Sequence, residues 1–155
     1  VSPGGRVYGL EVHPSLRVLV AVPTAALSTA VARAALGAPI DTGLAARTAA
    51  RLAFLVEGLR RGDTALLAEA AGDELHEQRR AHLSPLTGAL VAAARRAGAA
   101  HAAWSGAGPS AVALVGDAEA SAVRAAWEAL LAGDGGVVLE PGLDRQGLIV
   151  GDAGD

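Results

Sequence analysis

The chain has no cysteine, methionine, lysine or asparagine among its 155 residues. Each gap removes a class of chemistry. Without cysteine there is no disulfide, no thiolate nucleophile and no cysteine-ligated metal, a pattern that suits the cytoplasm. Without lysine there is no Schiff base and no Walker-type phosphate-binding amine. All 13 basic residues are arginine, and with the richness in Ala and Gly this reads as high-GC codon usage. The sequence opens Val-Ser-Pro-Gly-Gly rather than with Met. It is therefore expected to be a fragment, or a chain whose beginning was removed.

Aromatic residues are scarce too, at 3%, although 52% of the chain is hydrophobic. The core is accordingly expected from closely approaching helices lined with Ala, Leu and Val. No apolar run approaches the roughly 18 residues that span a bilayer, and residues 16–23, LRVLVAVP, suffice only for a strand. No basic segment followed by an apolar one opens the chain as a secretion signal would. A net charge of -3 disfavours a nucleic-acid surface. Neither membrane nor nucleic acid is an expected partner, and the length suits one domain.

The punctuation of the chain gives the element order. Residues 6–12, RVYGLEV, alternate as an edge strand, and 17–22, RVLVAV, read as a buried strand stopped by Pro23. Ser28 or Thr29 opens a short helix that Gly37 ends. Asp41 and Thr42 begin a helix with apolar residues at a 3.6 period, closing at Arg60, Arg61 and Gly62. Asp63 opens a third helix expected to reach Arg80, with Gly72 a weak point inside it. Ser84-Pro85 is an N-cap followed by proline at N1, and that helix runs to Gly98. Two strands flank a glycine-rich loop. Asp117 caps a helix through Leu131, and 136–140 and 147–150 close the chain as strands. This order predicts an α+β fold, an antiparallel sheet with helices packed on one face, consistent with a split β-α-β, ferredoxin-like arrangement.

Three stretches carry candidate chemistry. The loop Ser105-Gly106-Ala107-Gly108-Pro109-Ser110 is either a hairpin connection using positive φ or a small-residue loop that lets an anion approach the backbone. Arg33 lies four residues after Thr29, on the same side of its helix; it is either a solvated surface residue or a ligand group. Arg79 and Arg80 suit a helix C-terminus, and one of them could equally serve as a planar fork for a carboxylate or phosphate.

Together and in this order, the three stretches resemble the C-terminal half of the homoserine kinase family, within the GHMP kinase superfamily. A strand ending in Val-Pro leads into Leu27-Ser28-Thr29-Ala30-Val31-Ala32-Arg33, similar to the family's Leu-Ser-Thr-x-x-Ala-Arg helix. Leu75-His76-Glu77-Gln78-Arg79-Arg80 is similar to its Leu-His-x-x-x-Arg segment, and Ser105 to Ser110 matches the superfamily's Ser-Gly-Ala-Gly-Pro-Ser/Thr motif. The resemblance runs from about Val7 to Val150. It implies a GHMP kinase C-terminal domain over 1–155, with residues 1–22 including strands shared with an N-terminal domain. It also implies transfer of the ATP γ-phosphate to the hydroxyl of L-homoserine, a step toward threonine. By the resemblance, Arg33 and Arg80 hold the amino acid, chiefly by its carboxylate. Ser105, Gly106, Ala107, Gly108, Pro109 and Ser110 support the phosphate-binding loop. Family members are often homodimers.

Departures from the family pattern are informative. Glu77, Gln78 and Arg79 stand where the family usually has Gln-Pro-Tyr, so a negative charge replaces an amide and Arg79 competes with Arg80 for the substrate-facing role. The family's phosphate loop, its preceding N-terminal motif and the acidic residue that helps hold Mg2+ occur nowhere in these residues. ATP and Mg2+ are accordingly expected to bind mainly to the N-terminal half, leaving this chain inactive alone. The four histidines show no metal-ligand spacing, and Ser110 lacks the Gly-x-Ser-x-Gly elbow of hydrolases. Two alternatives remain: another small-molecule GHMP kinase, of mevalonate or sugar type, and a non-catalytic ferredoxin-like amino-acid-binding domain.

Overall fold

Alternating apolar residues in Arg17–Val22 and Ala111–Val115 bury one side of each strand and leave the other half-covered. The computed structural model describes residues 5, 9–37 and 39–144. Within them β1 (Arg17–Val22), β2 (His101–Trp104), β3 (Ala111–Val115) and β4 (Val137–Leu139) form a sheet in the order β2-β3-β1-β4. All three pairings are antiparallel, with Leu19 and Ala102 both opposite Ala113 and Val20 opposite Leu139. The helices are α1 (Thr29–Ala34), α2 (Thr42–Arg61), α3 (Thr64–Glu69), α4 (Glu77–Arg80), α5 (Pro85–Arg96) and α6 (Asp117–Leu131), with a 3-10 turn at Ala81–Leu83. The first five lie between β1 and β2, and α6 joins β3 to β4. This is the ferredoxin-like α+β topology expected from the sequence.

α5 and α6 cover one face of the sheet. Leu19, Ala21, Ala102, Ala111, Ala113 and Val115 point into that layer, against Leu90, Val91 and Ala94 of α5 and Val123, Trp127 and Leu131 of α6. Four of those six strand residues are alanine, so the helices approach the sheet closely. The fully buried Trp127 fills the remaining volume, its indole N–H donating to the Leu90 carbonyl at 2.8 Å.

The capping predictions fare unevenly. Asp41 accepts the Leu44 N–H and Asp63 those of Ala65 and Leu66, as expected of N-caps. Ser84 is the N-cap of α5 with Pro85 opening the helix, as expected, but its hydroxyl meets the Thr87 hydroxyl at 2.8 Å rather than a backbone N–H; Gly116, not Asp117, is the N-cap of α6. The third helix does not run from Asp63 to Arg80. It stops at Glu69, Gly72 takes φ +91°, and a turn intervenes before α4. Asp73 supplies the reason: its Oδ1 accepts the N–H groups of Leu75 and His76 at 2.9 Å, giving the backbone a local alternative to the helix. Residues 9–12 are not a strand; 6–8 and the expected strand 147–150 lie outside the described residues.

Candidate functional site

The broken third helix creates the site. Because the chain turns at Gly72 and Asp73, α4 comes to lie beside α1 and the β2–β3 loop. A cavity of ≈ 450 Å³ opens between them, lined by Thr29, Arg33, Asp73, His76, Glu77, Arg80, Ala103, Trp104, Gly106 and Ala107. Arg33 and Arg80, 47 positions apart in sequence, therefore share one cavity with the first half of the glycine loop.

The two arginines are held differently. Arg80 is 7% exposed; its Nε donates to the Ala32 carbonyl at 3.0 Å and its Nη1 to the Gly106 carbonyl at 3.3 Å. Arg33 is exposed on α1. Among the described residues neither forms an ion pair with a carboxylate. Burying a guanidinium without a counter-charge is costly, so a cavity built around Arg80 favours an anionic group in its occupant. Arg79 points elsewhere: Nη1 donates to the Leu36 carbonyl at 2.9 Å and Nη2 to Pro39 at 3.2 Å, pinning the α1–α2 connection.

The acidic residues of the cavity are already engaged. Glu77 Oε1 accepts the Trp104 backbone N–H at 2.7 Å, and Asp73 Oδ2 meets His76 Nδ1 at 2.8 Å. That second contact turns the other imidazole nitrogen away from Asp73. Asp73 and Trp104 are not among the candidates read from the sequence; the turn at Gly72 and Asp73 and the end of β2 bring them into the lining beside His76 of the Leu-His-x-x-x-Arg segment.

The loop follows its motif. Ser105 N–H donates to the Ser110 carbonyl at 2.8 Å and Gly108 N–H to Ser105 at 3.2 Å. Gly108 has φ +85°, and a Cβ there would sit 2.7 Å from the Trp104 ring, so only glycine fits. The Pro109 carbonyl accepts from the Thr87 hydroxyl at 2.6 Å, anchoring the far arm of the loop to α5. Gly106 and Ala107 face the cavity; Ser105, Gly108, Pro109 and Ser110 shape the turn behind them. Among the described residues no three carboxylate, imidazole or thiol groups gather as metal ligands.

A second cavity, ≈ 250 Å³, adjoins the first through Asp73, His76 and Ala103, and is walled by Leu52, Leu55, Ala70 and His101. His101 is buried there with Nδ1 3.2 Å from the Leu67 carbonyl. Burial pushes its pKa below the ordinary imidazole value, partly opposed by that carbonyl, with the positive charge of Arg95 lowering it further.

Comparison with known proteins identifies the relatives. The family described as GHMP kinases C terminal matches residues 55–133. The homoserine kinase of Gloeobacter violaceus is 41% identical over 138 residues, covering 89% of this chain and 46% of that protein. The homoserine kinase of Moorella thermoacetica is 37% identical over 105 residues, covering 68% of this chain and 36% of that one. Among solved structures, homoserine kinase from Cytophaga hutchinsonii superposes with a TM-score of 0.84 at 28% identity, over 92% of this chain and 46% of that chain. L. major mevalonate kinase superposes at 0.66 with 19% identity, over 86% of this chain and 44% of its own, a likeness of fold alone. The chain spans about half the length, or less, of the relatives it matches.

Proposed function

The chain belongs to the GHMP kinase C-terminal family, and on that premise we propose that it is the amino-acid-binding part of an ATP-dependent homoserine kinase. In that reaction the side-chain hydroxyl of L-homoserine attacks the γ-phosphorus of ATP. The bond to the β–γ bridging oxygen breaks, ADP leaves and the hydroxyl proton is released, in a cytoplasmic step toward threonine. The observation that carries the reading is the pair Arg33 and Arg80, two guanidinium groups without carboxylate partners, facing one cavity beside Gly106 and Ala107. Arg33 and Arg80 would take the substrate carboxylate. The loop Ser105 to Ser110 would stand beside the nucleotide phosphates and support the phosphate-binding loop of the N-terminal half.

Phosphoryl transfer needs mainly positioning and electrostatics, which fixed cations and a small-residue loop supply. The negative charge of Asp73 in the same lining favours a zwitterion, which carries an ammonium, over a mevalonate-type acid that has none. Mg2+ and the phosphate loop belong, in this proposal, to the N-terminal half of the same protein, and residues 1–155 form the C-terminal domain, in a homodimer or alone.

The test is homoserine-dependent ADP release by the complete protein, run beside mevalonate and a sugar panel. Arg33→Ala is expected to cost about 2 kcal/mol, roughly 30-fold in kcat/KM for homoserine. Preference for another acceptor would reassign the substrate. Tight homoserine binding without any ADP release would point to a sensor instead.

A further inference from the structure

Helix α4 is one turn long, and its two ends grip three different segments. Glu77 at its start accepts the N–H of Trp104, the last residue of β2, at 2.7 Å. Arg80 at its end donates to the carbonyl of Gly106, two residues farther along the loop, and to that of Ala32, the neighbour of Arg33. β2 is an edge strand of the sheet, so an N–H turned away from β3 has no strand partner and needs another acceptor. Glu77 supplies it with a side-chain oxygen. The far arm of the loop is held separately, by Thr87 on the Pro109 carbonyl.

From this geometry we infer that α4 is a clip in which Glu77 is a positioning residue, fixing the near arm of the glycine loop relative to the arginine pair. The residue acts through the Trp104 amide. Its consequence for the reaction rests on the kinase reading above: the same turn that seats Arg80 in the amino-acid cavity sets the loop on the nucleotide side, so the two substrates are aligned by one element. The bonds themselves do not depend on that reading. The acceptor oxygen matters here and the charge does not, because an amide oxygen at the same position accepts the same N–H.

Three variants of the complete protein test this, with amide hydrogen exchange at Trp104 as the direct readout and steady-state kinetics as the functional one. In Glu77→Ala the Trp104 amide is expected to lose about tenfold in protection, and KM for ATP to rise about tenfold while KM for homoserine moves less than about threefold. Glu77→Asp, one carbon shorter, keeps the charge, withdraws the oxygen and gives the same sign, which also serves if the alanine variant does not fold. Glu77→Gln keeps protection and both KM values within about twofold of the parent. Unchanged protection in the Ala and Asp variants overturns the clip. So does equal loss in Glu77→Gln, or an effect confined to KM for homoserine. Absence of homoserine-dependent ADP release in the parent would refute the kinase reading, and the exchange data alone would then decide the clip.

Discussion

The sheet with α5 and α6 and the segment from α1 to α4 are built on different principles. In the first, fourteen buried residues make one apolar core, and a single aromatic, Trp127, fills the space that strand alanines leave. In the second, the helices are short or mostly exposed and are fastened by polar bonds: Arg79 to Leu36 and Pro39, Arg80 to Ala32 and Gly106, Glu77 to Trp104. Arg47 and Arg51 of α2 both reach Glu74, at 2.8 and 2.7 Å, and their hydrogen bonds and charges hold that carboxyl down at about 2. Burial gives the first region its stability. Directional bonds give the second its geometry, and a site needs geometry more than cohesion.

Breaking the core should therefore cost most in stability. Trp127→Ala removes a fully buried side chain and its bond to Leu90, with an expected loss of about 3–5 kcal/mol in denaturant unfolding. Arg80→Ala is next: it leaves the Ala32 and Gly106 carbonyls short of a donor, an expected loss of about 1–3 kcal/mol. The accompanying fall in homoserine affinity should exceed that seen for Arg33→Ala, readable by calorimetry on the complete protein. Arg33→Ala itself should change unfolding by less than about 0.5 kcal/mol, since its side chain is exposed. A comparable stability loss in Arg33→Ala would erase the distinction between the two arginines.

The contrast also explains what could be read in the sequence. β1 and β3 announce themselves as short apolar runs, and α5 and α6 through Ser84-Pro85, Gly98 and Asp117 at their ends. α4 does not: four residues are too few for a period, and Gly72 reads only as a weak point inside a helix expected to run from 63 to 80. Only the bonds from Asp73 to Leu75 and His76 show why the chain turns there. Arg33 and Arg80 were legible as candidates through ordered motifs. That Arg79 faces the α1–α2 connection and Arg80 the cavity depends on partners more than forty positions away, which no local pattern encodes.

The smallest expected effect is at the seam between the regions. His101 lies on β2 but bonds to α3, and burial lowers its pKa below 6.5. A depressed folded pKa means that the neutral ring's contribution is complete above the unfolded value and is lost as pH falls through the folded one. Stability should thus decline as pH falls below the ordinary imidazole value of about 6.5, and His101→Gln should flatten that slope in thermal melts. An unchanged slope would mean that other groups carry the dependence.

The two tryptophans differ in setting as well, Trp127 sealed in the core and Trp104, at the end of β2, packed against that core while lining the cavity. The chain consequently carries two indole fluorophores with separate duties. Emission from the indole of Trp127 reports whether the sheet is covered; that of Trp104, stacked on Gly108, reports what stands beside the loop. A ligand-induced spectral change that survives Trp127→Phe and disappears in Trp104→Phe is a titration of the cavity alone, so occupancy and unfolding can be followed in one cuvette without a label.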